Sequence, residues 1–220
     1  MTEHVKPITI YRKGEILADG VIHALGLVLA LVTLPVLLTL AAVWDGQLGT
    51  MVALSVYAAS VLAMLALSGA YNLTRQARAR AILRRLDHAA IYLKIAGTQT
   101  PFAVLGGSST TLWLLAGVWV AALAAALAKI VSIRGWEMLS VALYLALGWA
   151  GVLILPGLWD ELGGLTRSLI LAGGILYTIG VGFHLWETLP YHNAIWHGFV
   201  LAGTFAFYAA LLAQIAAEYG

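Results

Sequence analysis

The sequence of 220 residues contains no cysteine and few charged residues. Without cysteine the chain can form neither disulfide bonds nor thiolate metal sites. Aspartate, glutamate, lysine and arginine make up only 10% of the residues, whereas hydrophobic residues make up 62% and the mean hydropathy is +0.93. This composition lies far outside the range of soluble domains and is typical of a protein embedded in a membrane.

Long hydrophobic runs with few charges divide the chain, and each is close to the ~20 residues that a helix needs to cross a bilayer. The runs cover residues 18–44, 48–73, 86–107, 110–131, 138–156, 168–186 and 192–216. They are too long and continuous for the alternating strands of a membrane β-barrel. The sequence therefore predicts an all-α bundle of seven transmembrane helices, with a tail at residues 1–17 and a single domain at residues 18–216.

Lysine and arginine fall almost entirely on one side of this predicted bundle. They lie in the tail, between residues 75 and 85, and in the connection after residue 128, whereas the opposite side has Arg167 alone. Because basic connections stay in the cytoplasm, we predict a cytoplasmic amino terminus and a multi-pass protein of the inner (plasma) membrane. The lipid bilayer is then its main partner. The loop Arg75–Arg85 is expected to contact anionic head groups, and the net charge of +2 requires no nucleic-acid partner.

Polar residues within the hydrophobic runs collect at one depth. In the predicted topology all six histidines lie in the cytoplasmic half. Pairs spaced by four, such as Ser68 with Asn72 and Asn193 with His197, each share one helix face. Ionisable groups at membrane depth are costly and usually mark a working site, so we predict a polar pocket facing the cytoplasm. Its expected members are Asp19, His23, Ser68, Asn72, Asp87, His88, Lys94, His192, Asn193 and His197.

Structural interpretations compete with this one for individual residues. Asp87 opens the third predicted helix, where a carboxylate is stabilised by about 0.3–1 kcal/mol through the helix dipole. Lys94 can extend its ammonium group along the helix toward polar surroundings or pair with a carboxylate. The functional interpretation depends on the whole set of polar residues lying at one depth in the membrane.

Several segments resemble the hemolysin III family, part of the wider group that contains the progestin and adipoQ receptors. They are residues 14–26, 68–71, 86–102 (LDHAAIYLKIAGTQTPF), 173–183 (GGILYTIGVGF) and 189–203 (LPYHNAIWHGFVLAG). The resemblance implies seven helices with a cytoplasmic amino terminus. It also implies a zinc site with Ser-x-x-x-His in the second helix, an aspartate in the third and His-x-x-x-His in the seventh. In that site three histidines bind zinc, while the serine and aspartate hold a zinc-bound water, as hydrolysis requires.

The chain departs from this pattern at two of the three ligands, where it has Asn72 and Asn193. Only His197 is retained, together with Ser68 and Asp87. Because a carboxamide is a poor zinc ligand beside imidazole, we expect no bound cofactor and a hydrogen-bond network instead. The alternative is a zinc site rebuilt with His23, His88 or His192, although neighbours on a helix point about 100° apart.

Three functions remain open on these residues. The first is binding or sensing of a lipid or small amphiphile within the bundle. The second is metal-dependent hydrolysis of a lipid amide, with Asp87 and Ser68 in catalytic roles and His197 on the metal. The third is an ion or proton conduit through Lys94, Asp87, Asp19 and His23, since chains of ionisable residues relay protons in pumps.

Overall fold

The computed structural model describes residues 12–131, 137–153 and 156–220, which form helices and no strand. The helices are α1 (Lys13–Trp44), α2 (Leu48–Leu73), α3 (Ala77–Leu105), α4 (Ser109–Val131), α5 (Glu137–Leu153), α6 (Pro156–Glu161), α7 (Gly164–Leu185) and α8 (His192–Tyr219). His4, one of the six histidines, and the basic residues Lys6 and Arg134 lie outside the described residues.

Most of these helices have the length and composition of membrane spans. Five of them, α1, α2, α4, α7 and α8, are long and apolar enough to cross a bilayer, and α5 is a shorter apolar helix. Their outward faces carry large apolar side chains in the open, including Leu48 at 80% exposure and Trp113 at 79%. A soluble domain would bury such residues, whereas lipid solvates them. The expectation of an all-α membrane protein is therefore confirmed.

The start of α3 differs from the expectation. The helix begins at Ala77, so most of the arginine-rich segment that we read as a loop is helical. Alanine and arginine both favour helices, and two arginines also tie this end to its neighbours. Arg84 Nη2 lies 3.1 Å from Glu137 Oε1 of α5, and Arg85 Nη1 donates to Ile130 O of α4 at 3.1 Å. Asp87 consequently lies in the interior of α3, and its assignment to the first turn of a helix was wrong.

The helices form a closed arrangement in which α3 is central. Helix α8 packs against α7 and α1, α1 packs against α2, and α2 packs along α3. Helix α3 also contacts α4, α5 and, across the interior, α8. The core between α1, α2 and α8 contains fully buried residues such as Leu37, Tyr57 and Leu211. This arrangement brings the starts of α1 and α8 and the end of α2 to the same end of the bundle.

Glycine allows α7 and α8 to approach each other closely. A Cβ atom added at Gly173 would lie 3.3 Å from the carbonyl oxygen of Gly203, and one at Gly203 would lie 3.2 Å from the carbonyl oxygen of Gly173. The two backbones therefore touch, as small residues permit in membrane helices. Gly182 of α7 differs, because a Cβ added there would have no atom within 4 Å.

Candidate functional site

The site is built on one face of α1. The helix starts at Lys13, so Glu15, Asp19 and His23 follow one another at intervals of four and share a face. Glu15 anchors this end, because its carboxylate accepts from the backbone N–H groups of Arg12 at 2.6 Å and Tyr191 at 3.0 Å. Since Tyr191 directly precedes α8, this carboxylate holds the starts of α1 and α8 together.

Asp19 joins α1 to α8 through a short hydrogen bond. Its Oδ1 atom lies 2.5 Å from Nδ1 of His197, and the Asp19 side chain is buried. An ionised carboxylate can only accept, so Nδ1 of His197 carries the hydrogen. Hydrogen bonds between such groups are short and strong, which makes this contact the main polar link between the first and last helices.

His23 extends the link to α2. Its Nδ1 lies 2.8 Å from the backbone oxygen of Asp19, and its Nε2 lies 3.1 Å from Oγ of Ser68. A carbonyl oxygen can only accept, so Nδ1 carries the hydrogen and Nε2 has a lone pair facing Ser68. Gly69 lies beside this residue, and a Cβ added there would make ordinary van der Waals contact with Cβ of His23 at 3.5 Å.

Asp87 of α3 completes the group, interacting with the Ser68 hydroxyl and with His197. We call Asp19, His23, Ser68, Asp87 and His197 the histidine cluster. Four helices contribute to it, and the imidazole rings of His23 and His197 meet edge to face with centroids 4.4 Å apart. Five of the residues named from the sequence therefore lie together in the structure, where they come from α1, α2, α3 and α8.

The positions that the hemolysin III resemblance assigns to zinc do not suit the metal. Asn72 turns back on its own helix, where its Nδ2 donates to the backbone oxygen of Ser68 at 3.0 Å. Asn193 lies half-buried in the first turn of α8. With two carboxamides and one imidazole, these positions lack the donors that zinc prefers.

Another combination of residues does offer ligands for a metal ion. Asp19, His23 and His197 each present one ligand atom, and these atoms lie within 4.8 Å of one another. The sequence pointed to all three residues, but it gave Asp19 a place in the pocket and in the alternative proton conduit and not that of a metal ligand. The signal for its larger role was its spacing of four from His23 within an otherwise apolar helix.

The remaining predicted members lie apart from the histidine cluster. His88 faces the arginine-anchored side of α3, near Arg84 and Lys129. His192 is buried at the first residue of α8 and near Glu15. His184 of α7, which was not among the predicted members, packs its ring against Trp196 with centroids 5.2 Å apart and interacts electrostatically with His197.

Lys94 belongs to a second polar group deeper in the bundle. Its ammonium group donates to the hydroxyl of Tyr177, whose oxygen lies 2.7 Å from Oγ1 of Thr204. Thr204 in turn donates to the backbone oxygen of Val200 at 2.8 Å. We call Lys94, Tyr177 and Thr204 the lysine chain. Sequence reasoning found Lys94 but not its partners, because they come from α7 and α8.

A cleft lies between α3, α5, α7 and α8, beside the lysine chain. Its enclosed part has a volume of about 50 Å³, and the cleft opens to the outside. Its walls are mostly aromatic and aliphatic, with Phe102, Trp149, Trp159 and Phe207 as the large side chains and Thr98 as a polar one. The Lys94 ammonium lies 5.6 Å from the Phe207 ring centroid, so the buried cation and the cleft share a wall.

Comparison with known proteins relates the whole bundle to others. A family model described as haemolysin-III related matches residues 15–208. Hemolysin-3 of Bacillus cereus is 37% identical over 205 residues, which cover 93% of this chain and 93% of that protein. The Hemolysin-3 homolog of Bacillus subtilis (strain 168) is 36% identical over 200 residues, or 90% of this chain and 93% of the relative. The matched region includes every residue of the histidine cluster.

Proposed function

We propose that this chain, which belongs to the hemolysin III family, binds a lipid or other small amphiphile within its bundle in the membrane. The observation that carries the proposal is the apolar cleft beside Lys94. Ligand pockets typically have apolar walls and a few polar groups, and the lining of this cleft fits that pattern.

The charge of Lys94 indicates the kind of amphiphile. Lys94 is 4% exposed, and its partners in the described part of the chain are the hydroxyl of Tyr177 and the faces of Tyr177 and Phe207. None of the ion pairs described for the protein includes it. An isolated buried ammonium is costly, so an anionic head group near Lys94 would be stabilised while an acyl chain fills the cleft.

The proposal also includes the topology. Helix α3 is charged at its start, but its 29 residues contact α2, α4, α5 and α8, which supports a span at the centre of the bundle. Together with α5 and the five long apolar helices, α3 would bring the number of membrane-spanning helices to seven. The basic residues then place the amino terminus and the histidine cluster toward the cytoplasm, in an inner membrane of bacterial type.

Two variants of matched design test amphiphile binding. Gly148 lines the cleft, and a Cβ added there meets no atom within 4 Å, so Gly148→Leu should occupy the cleft without disturbing the helix. Gly117 of α4 has the same open surroundings but does not line the cleft, which makes Gly117→Leu the control. The measurement is binding of a fluorescent long-chain carboxylate to the purified chain in nanodiscs, expressed per mole of lipid.

Lys94→Met tests the head group. We expect it to weaken binding of the carboxylate by at least roughly tenfold, since a hydrogen bond to a charged group contributes about 1.5–3 kcal/mol. Binding of the matched uncharged alcohol should not change. Equal binding of the carboxylate by the unaltered chain, Gly148→Leu and Lys94→Met would refute the proposal.

Metal-dependent hydrolysis of a lipid amide is a second candidate, favoured by the grouping of Asp19, His23 and His197 beside Ser68. Its test is release of fatty acid from a ceramide-like substrate by the purified chain, with and without a chelator. A proton conduit has less support, because each donor of the lysine chain points to the next and the chain ends at a backbone carbonyl.

A further inference from the structure

We propose that Asp19, His23 and His197 form a divalent-metal site that takes two of its three ligands from α1. This set shares only His197 with the zinc positions implied by the resemblance. It does not depend on amphiphile binding in the cleft, which lies beside a different group of residues.

The donors have the right chemistry. Two imidazoles and one carboxylate are a donor set found in catalytic zinc sites, where a fourth position stays open. Their ligand atoms lie within 4.8 Å of one another, and Asp19 and His23 are only 5% and 6% exposed. Burial protects such a site from competition by water and by stray ligands.

The backbone oxygen of Asp19 also orients one of the two rings. It accepts the Nδ1–H of His23, which leaves the Nε2 atom of His23 with a lone pair. Histidines that bind metals usually donate their other ring N–H to a carbonyl or carboxylate in this way.

The short contact marks where the ion would bind. Two ligands of one zinc ion at ~2.0–2.2 Å lie roughly 3.3 Å apart, so Asp19 Oδ1 and His197 Nδ1, 2.5 Å apart in the hydrogen bond, would separate by roughly 1 Å when both bind the metal. The ion would then replace the hydrogen of this bond, and His197 would bind through Nδ1. The other carboxylate oxygen, Oδ2, is not engaged by His197 and lies 3.7 Å from Nδ1 of His23.

The local charge also favours a cation. Asp19 and Asp87 bring two buried carboxyl groups to one place, and the ion pairs described for Asp19 are with histidines only. No lysine or arginine forms an ion pair with either carboxylate in the described part of the chain. Buried charges are normally paired or coordinate a metal, and a divalent ion would neutralise this group.

Cobalt binding to the full chain tests the site. The chain in nanodiscs is stripped with a chelator and titrated with Co²⁺, whose visible absorption reports coordination by protein ligands. We expect one equivalent to bind and one equivalent of Zn²⁺ to displace it. His23→Gln, His197→Gln and Asp19→Asn should each weaken binding by about 10- to 100-fold. His88→Gln and His184→Gln, at histidines outside the cluster, should not.

Two results would overturn the proposal. One is the absence of stoichiometric Co²⁺ binding. The other is loss of binding in Asn72→Ala or Asn193→Ala with retention in His23→Gln, which would place the metal at the family positions. If the cluster variants do not fold, the unaltered chain still decides the matter through electron paramagnetic resonance of bound Cu²⁺. Two coupled imidazole nitrogens support the site, and one or none rejects it.

Discussion

The histidine cluster and the lysine chain are both buried polar groups, but they deal with charge in opposite ways. In the cluster, acidic and imidazole groups from different helices face each other, as in the contact of Asp19 with His197. In the lysine chain a single cation is held by two neutral hydroxyls that end at a carbonyl. The first group pairs carboxyl groups with imidazoles, whereas the second has a lysine without a described counter-ion. Removing a charge should therefore have opposite consequences in the two places.

The largest effect is expected for Asp19→Ala. Breaking a buried pair by removing one partner typically costs about 3–5 kcal/mol, and here two histidines lose their acceptor. The free energy of unfolding, measured by SDS titration of the purified chain in micelles, should fall by that amount. Asp160→Ala, at an exposed position of α6, should leave it nearly unchanged. Equal effects of the two substitutions would mean that Asp19 does not join α1 to α8.

Tyr177→Phe should have the next largest effect, because it removes the only hydroxyl that accepts from Lys94 in the described contacts. Leaving a buried donor without its acceptor costs about 1–3 kcal/mol. Tyr57→Phe is the matched control, since Tyr57 is fully buried and its hydroxyl has no partner among the described residues. The same titration should show a loss for Tyr177→Phe and none, or a gain, for Tyr57→Phe.

Lys94→Met should raise the free energy of unfolding, whereas the two substitutions above lower it. Replacing a buried cation by an apolar side chain of similar length should stabilise the apo protein by about 1 kcal/mol, because the cost of desolvating the charge disappears. Combined with Tyr177→Phe, it should also cancel much of the loss caused by that substitution. A marked destabilisation by Lys94→Met alone would show that the ammonium is compensated after all.

Ser68→Ala should cause the smallest of the expected losses of stability. It removes the partner of His23 Nε2 but leaves the bonds of Asp19 in place, so a loss of about 1 kcal/mol is expected. Ser55→Ala on the same helix is the control, because the Ser55 hydroxyl bonds only to the backbone oxygen of Met51. A Ser68→Ala loss as large as that of Asp19→Ala would make the serine, and not the aspartate, the centre of the cluster.

The sequence predicted the structure best where a feature depends on residues that are close together in the chain. The bounds of α1, α2 and α4 follow from runs of apolar residues, and the bond of Asn72 to Ser68 follows from a spacing of four. The start of α3 was misplaced because a run of arginines was read as a loop, although arginine also favours helices.

The pairings within the site could not be predicted in the same way. Asp19 and His197 are 178 positions apart, and Lys94 meets Tyr177 across 83. Such contacts depend on which helices are neighbours, which a single sequence does not specify. The sequence therefore identified the residues of the cluster by their depth but did not rank Asp19 above Asp87.

The carboxylate of Glu15, which accepts the backbone N–H of Tyr191, has a consequence for biogenesis. Synthesis proceeds from α1 to α8, so Asp19 lacks its histidine partner until 178 further residues have been added. Until then the contacts that α8 supplies to Glu15 and Asp19 are missing. A chain truncated before Tyr191 would lack both of these contacts between α1 and α8.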